Sequence, residues 1–343
     1  MSSLKFAPVL AGAPVGGAEN FYTRFVAEMQ TRTDYDICAF TRPNPKREQR
    51  LREAGARYQL FPLGGRLDML GRWRYQRALK QFQPDVVMTF MNRATALTPK
   101  GGYQLVARLG HYYDLKYYRH CDYWVGITKG ICDHLIKGGM PAERVVHIPN
   151  FVDEVKAPAL ARDSFATPTD QPLLLAFGRL HHNKAFDVLL QALAKMPSGV
   201  LWLAGSGPEE ENLKQLAQSL GITERVRFLG WRDDINALLA TADLFVCPSR
   251  HEGLGSILLE SWYHGCPIVA AASQGPAEIL TDGDNGMLVP IDQVDDLQHA
   301  MQHVLDDQAF ARQLVEAGQR DYHALYSTEK IIQQYQDFYR AIV

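Results

Sequence analysis

The sequence predicts an α/β chain built as two Rossmann-like, doubly wound parallel-sheet domains facing an interdomain cleft. Three observations carry this. Short apolar runs alternate with amphipathic helical stretches along the 343 residues. The alternation pauses at 154–171, a stretch rich in Ala, Pro, Asp and Thr that has the composition of a linker, and then restarts. The length suits two domains rather than one. The expected division is 1–158 and 159–327, with a helix at 328–343 able to pack on either domain.

Taken in order, residues 4–11 are a short apolar run and the first strand. Gly12, Gly16 and Gly17 mark the loop after it, which includes Pro14 and Val15. The first helix is 18–30, with Phe21, Phe25, Val26 and Met29 at helical spacing. The glycines do not follow G-x-G-x-x-G, and the next strand, 35–41, ends in Thr41-Arg42 rather than an acidic residue. A dinucleotide-binding dehydrogenase is therefore set aside. Strands follow at 58–62, 85–90, 105–109, 123–127 and 145–148. Between them lie a basic helix at 69–82 and a helix ending near 136, which Thr128 is placed to cap. In the second half, strands are expected at 172–177, 200–204, 226–229, 243–247, 268–272 and 287–289. Helices are expected at 186–194, 209–220 and 236–240. The last helix, 328–342, repeats Ile331, Tyr335, Phe338 and Ile342 at helical spacing.

The stretch from Cys247 to Glu260 carries the most chemistry. Pro248 ends a buried strand, because proline has no N–H for the ladder. Glu252, Gly253 and Gly255 then lead into a helix. Its first N–H groups, at Leu254, Gly255 and Ser256, and its dipole form an anion site. Glu260 lies four residues after Ser256, on the same helix face. This reads as a phosphate site with a carboxylate on either side for hydroxyl groups. A glycosidase acid–nucleophile pair also uses two carboxylates, but a hydrolase has no need of the phosphate-type loop between them.

Composition is that of a soluble globular chain, 46% hydrophobic and 22% charged. No apolar run reaches the roughly 18 residues a membrane helix needs, and no secretory signal is expected at Met1-Ser2-Ser3. Five cysteines, at 38, 121, 132, 247 and 266, show no pairing pattern and suit a reducing cytoplasm. The net charge of −2 hides an asymmetry. Residues 1–160 hold 23 Lys and Arg against 14 acids, net +9, and 161–343 hold 13 against 24, net −11. Eleven of the cations lie between Arg42 and Lys80, among them Arg66, against three acids. Either this is a solvated helical surface, or it meets an anionic partner such as a phospholipid leaflet. No nucleic-acid motif accompanies it.

A set of loops then resembles the nucleotide-sugar glycosyltransferases of the GT-B fold, nearest to the large retaining family 4. The set is Gly16-Gly-Ala-Glu19, Pro149-Asn150-x-x-Asp153, Gly178-Arg179-Leu180-x-x-x-Lys184, Gly205-x-Gly207-Pro208, Phe228-Leu-Gly230, Pro248-Ser-x-x-Glu252-Gly253, Glu260 and Gly275-x-x-Glu278. Glu252-x7-Glu260 downstream of Arg179 and Lys184 is the specific part. The resemblance implies that the second domain binds the nucleotide sugar and the first binds the acceptor. Arg179, Lys184 and the N–H groups of Leu254, Gly255 and Ser256 would take up the charge of the departing diphosphate without a metal. Glu260 would hold the ribose, Glu252 would stand by the sugar ring, and His111 would lie near the transferred sugar. Gly16, Gly17, Gly178, Gly205 and Gly253 would line the donor. Trp231 would sit at the base pocket, though core packing suits it equally. Tyr112, Tyr113, Tyr117 and Tyr118 would either line an acceptor platform or pack between domains. The chain departs from the family at Phe151, where glycine is common after Pro-Asn, and at His111-Tyr112-Tyr113-Asp114.

The expected activity is a metal-independent retaining transfer without cofactor. The donor is a UDP-sugar, with a GDP-sugar as second choice. The acceptor is a glycan, a lipid-linked sugar or a lipopolysaccharide-type molecule at the cytoplasmic face of a membrane. No nucleophile candidate stands out in the first domain, which favours front-face internal return over a covalent intermediate. Two rivals are a GT-B nucleotide-sugar epimerase, which needs no acceptor, and a non-catalytic nucleotide-sugar-binding protein. Intact Arg179, Lys184, Glu252 and Glu260 count against the second.

Overall fold

The computed structural model describes residues 3–13, 16–64 and 68–343. Pro14 and Val15 of the glycine loop, Arg66 of the basic stretch, and Met1 and Ser2 lie outside the described residues. The chain divides into two compact units, one of 1–150 with 328–343 and one of 151–327. The division falls at Asn150/Phe151, where composition placed it at 158/159. Residues 155–160 are tied to the second unit: Val155 O accepts from Asn236, and Leu160 N–H donates to Thr241 Oγ1.

The strands of the first unit are β1 (Lys5–Leu10), β2 (Asp36–Thr41), β3 (Arg57–Leu60), β4 (Val86–Phe90), β5 (Gln104–Leu109), β6 (Tyr123–Gly126) and β7 (Val145–His147). They form a parallel sheet in the order β3-β2-β1-β4-β5-β6-β7. Its helices are α1 (Gly17–Arg32), α2 (Pro45–Glu53), α3 (Met69–Phe82), α4 (Met91–Leu97) and α5 (Lys129–Lys137). β1 and β4 are buried almost throughout, so they read as continuous apolar runs. Thr128 caps α5 as expected, its hydroxyl accepting from Ile131 N–H at 3.1 Å. Sequence reading passed over α2 and α4. In α2 only Arg47 and Leu51 are buried, so there is no apolar stripe to read.

The second unit carries β8 (Leu173–Phe177), β9 (Val200–Ala204), β10 (Val226–Gly230), β11 (Leu244–Cys247), β12 (Ile268–Ala271) and β13 (Met287–Val289). Their order is β10-β9-β8-β11-β12-β13, again parallel. The helices are α6 (Phe186–Lys195), α7 (Glu210–Ser219), α8 (Ile235–Thr241), α9 (Ser256–His264), α10 (Gln274–Ile279), α11 (Val294–Asp306) and α12 (Gln308–Asp321). One core joins Leu174, Leu201, Leu203 and Val246 of the sheet to Leu189 and Leu193 of α6 and Met301 of α11. α10, α11 and α12 were not expected from the sequence.

The last helix, α13 (Thr328–Ile342), belongs to the first unit. Its buried aromatic face meets that unit's core. Tyr335 lies 4.7 Å from the Phe25 ring, and Tyr339 lies 5.0 Å from Phe6. Arg108 of β5 is buried with no carboxylate partner among the described residues. It lies 4.0 Å over the Phe21 ring and donates to Asn150, so Asn150 of the Pro-Asn motif anchors the end of the unit. Phe151 is buried and is not among the residues with positive φ, so nothing at that position asks for glycine.

Tyr339→Ala is expected to cost about 3–5 kcal/mol, read as a lower urea midpoint for the first unit. In the second unit, burial pulls the His264 imidazole down to about 4, and Lys156 pushes the same way. Unfolding therefore takes up a proton between the ordinary value of 6.5 and about 4. Stability should be full above pH 6.5 and should fall as pH drops through that window, and His264→Gln should flatten the fall in urea titrations at pH 7.5 and 5.

Candidate active site

The second sheet reverses its order between β8 and β11. In a doubly wound sheet, the loops leaving the carboxyl ends of such neighbours bound the ligand crevice. Here those loops are 178–185 and 248–255. They carry Gly178, Arg179 and Lys184 on one side, and Glu252, Gly253, Leu254 and Gly255 on the other.

The loops are stitched together by residues the sequence reading did not assign. The N–H groups of Arg250 and His251 both donate to the Asn183 carbonyl, at 2.9 and 3.3 Å. The Arg250 guanidinium forks onto Asp187 at 2.7 and 3.0 Å, reaches Asp292 at 2.7 Å, and donates to the His182 carbonyl at 2.7 Å. Such a bidentate fork fixes orientation as well as distance. Asp187 is opposed by burial, but the Arg250 hydrogen bonds more than offset this and hold its carboxyl below the usual range. The signal was present, since Arg250 lies inside the Pro248–Gly253 motif. Its partner on α6 is 63 residues away in sequence.

On this base Lys184 and Glu252 meet. The ammonium and the carboxylate form an ion pair with side-chain exposures of 22% and 17%. Sequence reading gave them separate tasks, the diphosphate for Lys184 and the sugar ring for Glu252. The structure joins them, because either charge alone would be costly in so enclosed a place. Burial lowers Lys184, yet Glu252 and Cys247 outweigh it, so the ammonium stays protonated beyond the ordinary lysine range. The Cys247 thiol below is pushed up to about 11, by burial first and by Glu252 second.

The Glu252 carbonyl accepts from Gly275 N–H at 2.9 Å. A Cβ at Gly275 would collide with the Gly253 carbonyl, so the first turn of α10 must be bare to hold this loop. Gly255, at φ +73°, is the N-cap residue of α9 and turns the chain into the helix with no side-chain cap. The helix start therefore presents its positive dipole end with no side-chain cap from Gly255. Leu254 is buried, Ser256 is half-buried at the first position, and Glu260 follows one turn later, also half-buried.

The loops after β8 and β9 approach closely. Gly205 has φ +143°, and a Cβ there would run into the Gly178 carbonyl. Leu180 N–H donates to Ser206 O at 3.0 Å, and Gly205 N–H donates to Gly230 O at 2.7 Å. This brings Gly178 and Gly205 together beside Lys184. Arg179 is exposed and makes no hydrogen bond or ion pair among the described residues, so a surface ion pair does not explain it. Trp231, after β10, is 55% exposed, and its indole N–H donates to Asp233 at 3.1 Å. It is not a core residue. Asp234 is taken by Arg232. Among the described residues, no group of three or more His, Cys, Asp or Glu could hold a metal ion.

The other candidates lie in the first unit. His111 is exposed just beyond β5, its ring centroid 6.1 Å from that of Tyr112 and 5.9 Å from that of Tyr113. Tyr118 is buried, stacks with Tyr113 and donates to Asn92, so it belongs to the core and not to an acceptor platform. Asp114 caps the short turn at 115–117, accepting from Lys116 N–H at 3.1 Å. Gly17 has open space where a Cβ would stand, and Gly16 is extended at φ 168°. Backbone conformation therefore requires glycine at neither. A Cβ at Gly16 would instead meet the Glu19 carboxylate, which is buried and folds back to accept from Ala13 N–H at 2.7 Å.

Two doubly wound units, one with Lys184 and Glu252 paired across the loops at its switch point, have the architecture of a GT-B protein. A family model described as Glycosyl transferases group 1 matches residues 159–321, and one described as Glycosyltransferase Family 4 matches 15–156. The chain is 34% identical over 334 residues to the lipopolysaccharide core biosynthesis glycosyltransferase LpsE of Rhizobium meliloti (strain 1021), covering 93% of this chain and 94% of the relative. It is 31% identical to LpsD of the same strain, with 94% and 95% covered. The structure of Anabaena Alr3699/HepE with UDP and glucose superposes with a TM-score of 0.85 at 21% identity, covering 98% of this chain and all of that one. The lipopolysaccharide outer core galactosyltransferase WaaB gives 0.74 at 20%, covering 99% and 100%. The chain belongs to the group 1 glycosyltransferases and is a glycosyltransferase of the GT-B fold.

Lys184→Ala leaves the Glu252 carboxylate half-enclosed and unpaired, and should destabilise the second unit by about 2–4 kcal/mol. Combining it with Glu252→Ala should restore part of that loss. Urea melts of the two single variants and the double variant would show a coupling of about 1–3 kcal/mol, and strict additivity would contradict a working pair.

Proposed function

We propose that the chain transfers a sugar, with retention and without a metal, from a UDP-sugar to a saccharide acceptor of lipopolysaccharide core assembly. The observation that carries this is the Lys184–Glu252 pair beside the bare start of α9, at the β8/β11 switch point. The acceptor class is supported by the names of LpsE and LpsD, and the uridine nucleotide by the ligand named for the HepE structure.

In this reading the diphosphate meets the α9 backbone donors and unpartnered Arg179. Lys184 shares its remaining donors with the departing phosphate, so charge developing there is met without reorganisation. Glu260 takes the ribose hydroxyls. Glu252, held by Lys184, stands beside the sugar and favours an oxocarbenium-like transition state. Engaged in this way, it supports front-face internal return over covalent attack. The bond from the anomeric carbon to phosphate breaks, the acceptor hydroxyl oxygen bonds on the same face, and its proton passes to the leaving phosphate oxygen. His111 is assigned to the transferred sugar, Trp231 to the base, and Gly16 and Gly17 to the donor side of the first unit. Five free cysteines and a first half of net charge +9 support a reducing compartment and an anionic membrane face. No helix among the described residues is long and apolar enough to cross a membrane.

UDP is expected to raise the melting temperature more than GDP or ADP does. Glu260→Ala should weaken UDP binding about tenfold, the worth of a charge-assisted hydrogen bond. Glu252→Gln should leave it within about threefold while lowering kcat by about 10²–10³. A protein that no nucleotide stabilises would overturn the reading.

A further inference from the structure

Helix α3 turns the wrong kind of side chain outward. Its inner face, Gly71, Tyr75, Ala78 and Leu79, is buried in the first unit. Tyr75 is fixed there by a 2.7 Å hydrogen bond to Thr98. Helical periodicity then puts Met69, Leu70, Trp73, Arg77 and Lys80 on the opposite side, flanked by Arg72 and Arg74. Met69 is 79% exposed, Leu70 68% and Trp73 55%, three of the largest apolar exposures in the described chain and all within the first five residues of one helix. The Arg77 guanidinium lies 5.4 Å from the Trp73 ring centroid, so the indole and the cation share one edge.

Charge selects what covers this face. No Asp or Glu occurs from Met69 to Phe82. The N-cap Asp68 is spent on the backbone, accepting from Gly64 and Gly71 N–H at 2.9 Å each. Apolar side chains large enough to enter an acyl boundary, an indole suited to the headgroup level, and a border of four cations are the chemistry of an interfacial helix. We infer that the outward face of α3 seats on anionic phospholipid, with Met69, Leu70 and Trp73 entering the interface and Arg72, Arg74, Arg77 and Lys80 meeting headgroup phosphates. This deepens the membrane part of the proposed function and rests on it. The two separate in the test below, because vesicle binding needs neither donor nor acceptor.

The full chain would be sedimented with vesicles of phosphatidylcholine alone and of phosphatidylcholine with about one-third phosphatidylserine. Binding is expected only to the second, and should weaken as salt rises past about 0.15 M. Arg74→Gln with Arg77→Gln should weaken it about thirtyfold, and Leu70→Ser with Trp73→Ser at least tenfold. Circular dichroism and UDP thermal shifts should be unchanged, since all four side chains point away from the core. Transfer to a detergent-dispersed acceptor should be unchanged as well. Binding that ignores phosphatidylserine, or that survives the Leu70/Trp73 change, overturns the inference. So does a concentration-dependent dimer that the same change abolishes in a protein that ignores vesicles. Vesicle binding in a protein that no nucleotide stabilises would overturn the proposed function and leave this surface standing.

Discussion

The meeting of Lys184 and Glu252 is the interaction on which the arrangement of the second unit's switch-point loops depends. Each residue lies in a loop that leaves a strand flanking the sheet reversal, and each carries a charge that enclosure penalises. Paired, they fix the spacing between those loops. Arg250 clamps the same loops from behind, through Asp187, Asp292 and two backbone carbonyls. Gly275 holds the far side of Glu252. The start of α9 is therefore presented at a set place, and a phosphate bound there would find its donors already aimed.

The first unit is held differently. Its centre is a cluster of aromatic rings, with Phe6, Phe25 and Phe90 from the front of the chain and Tyr335 and Tyr339 from α13. Of the two buried guanidinium side chains described there, Arg47 and Arg108, the second is set over Phe21 and bound to Asn150. This fixes the strand that ends just before His111. Beyond that strand His111 and Tyr112 are exposed, while Tyr113 stacks on buried Tyr118.

Most strands were legible because they are buried over all but at most one residue, as in β1, β4, β8 and β9. β9, β13, α3 and α13 fall at the residues expected. α11 carries a readable stripe, Leu297, Met301 and Val304, but polar neighbours obscure it. α2 carries none, since its hold on the unit comes through buried Arg47 and Leu51. In the site, Glu252, Glu260 and Lys184 were legible as residue types in a known order. Their partnership was not, because Lys184 and Glu252 are 68 residues apart and only the sheet's crossover brings them together. Tyr118 misled for a related reason: an aromatic beside a functional loop looks the same in sequence whether it faces ligand or core.

The placement of α13 has a bearing on synthesis. Residues 151–327 form a contiguous unit that contains all of its own core. The first unit, although it leaves the ribosome earlier, is without Ile331, Tyr335 and Tyr339 until the chain has passed through the whole of the second. Translation runs at about 5–20 residues per second, so the exposed faces of Phe6 and Phe25 wait some tens of seconds for their cover. The unit made first is the one completed last, and during that interval its apolar surface is open to chaperones and to misassembly.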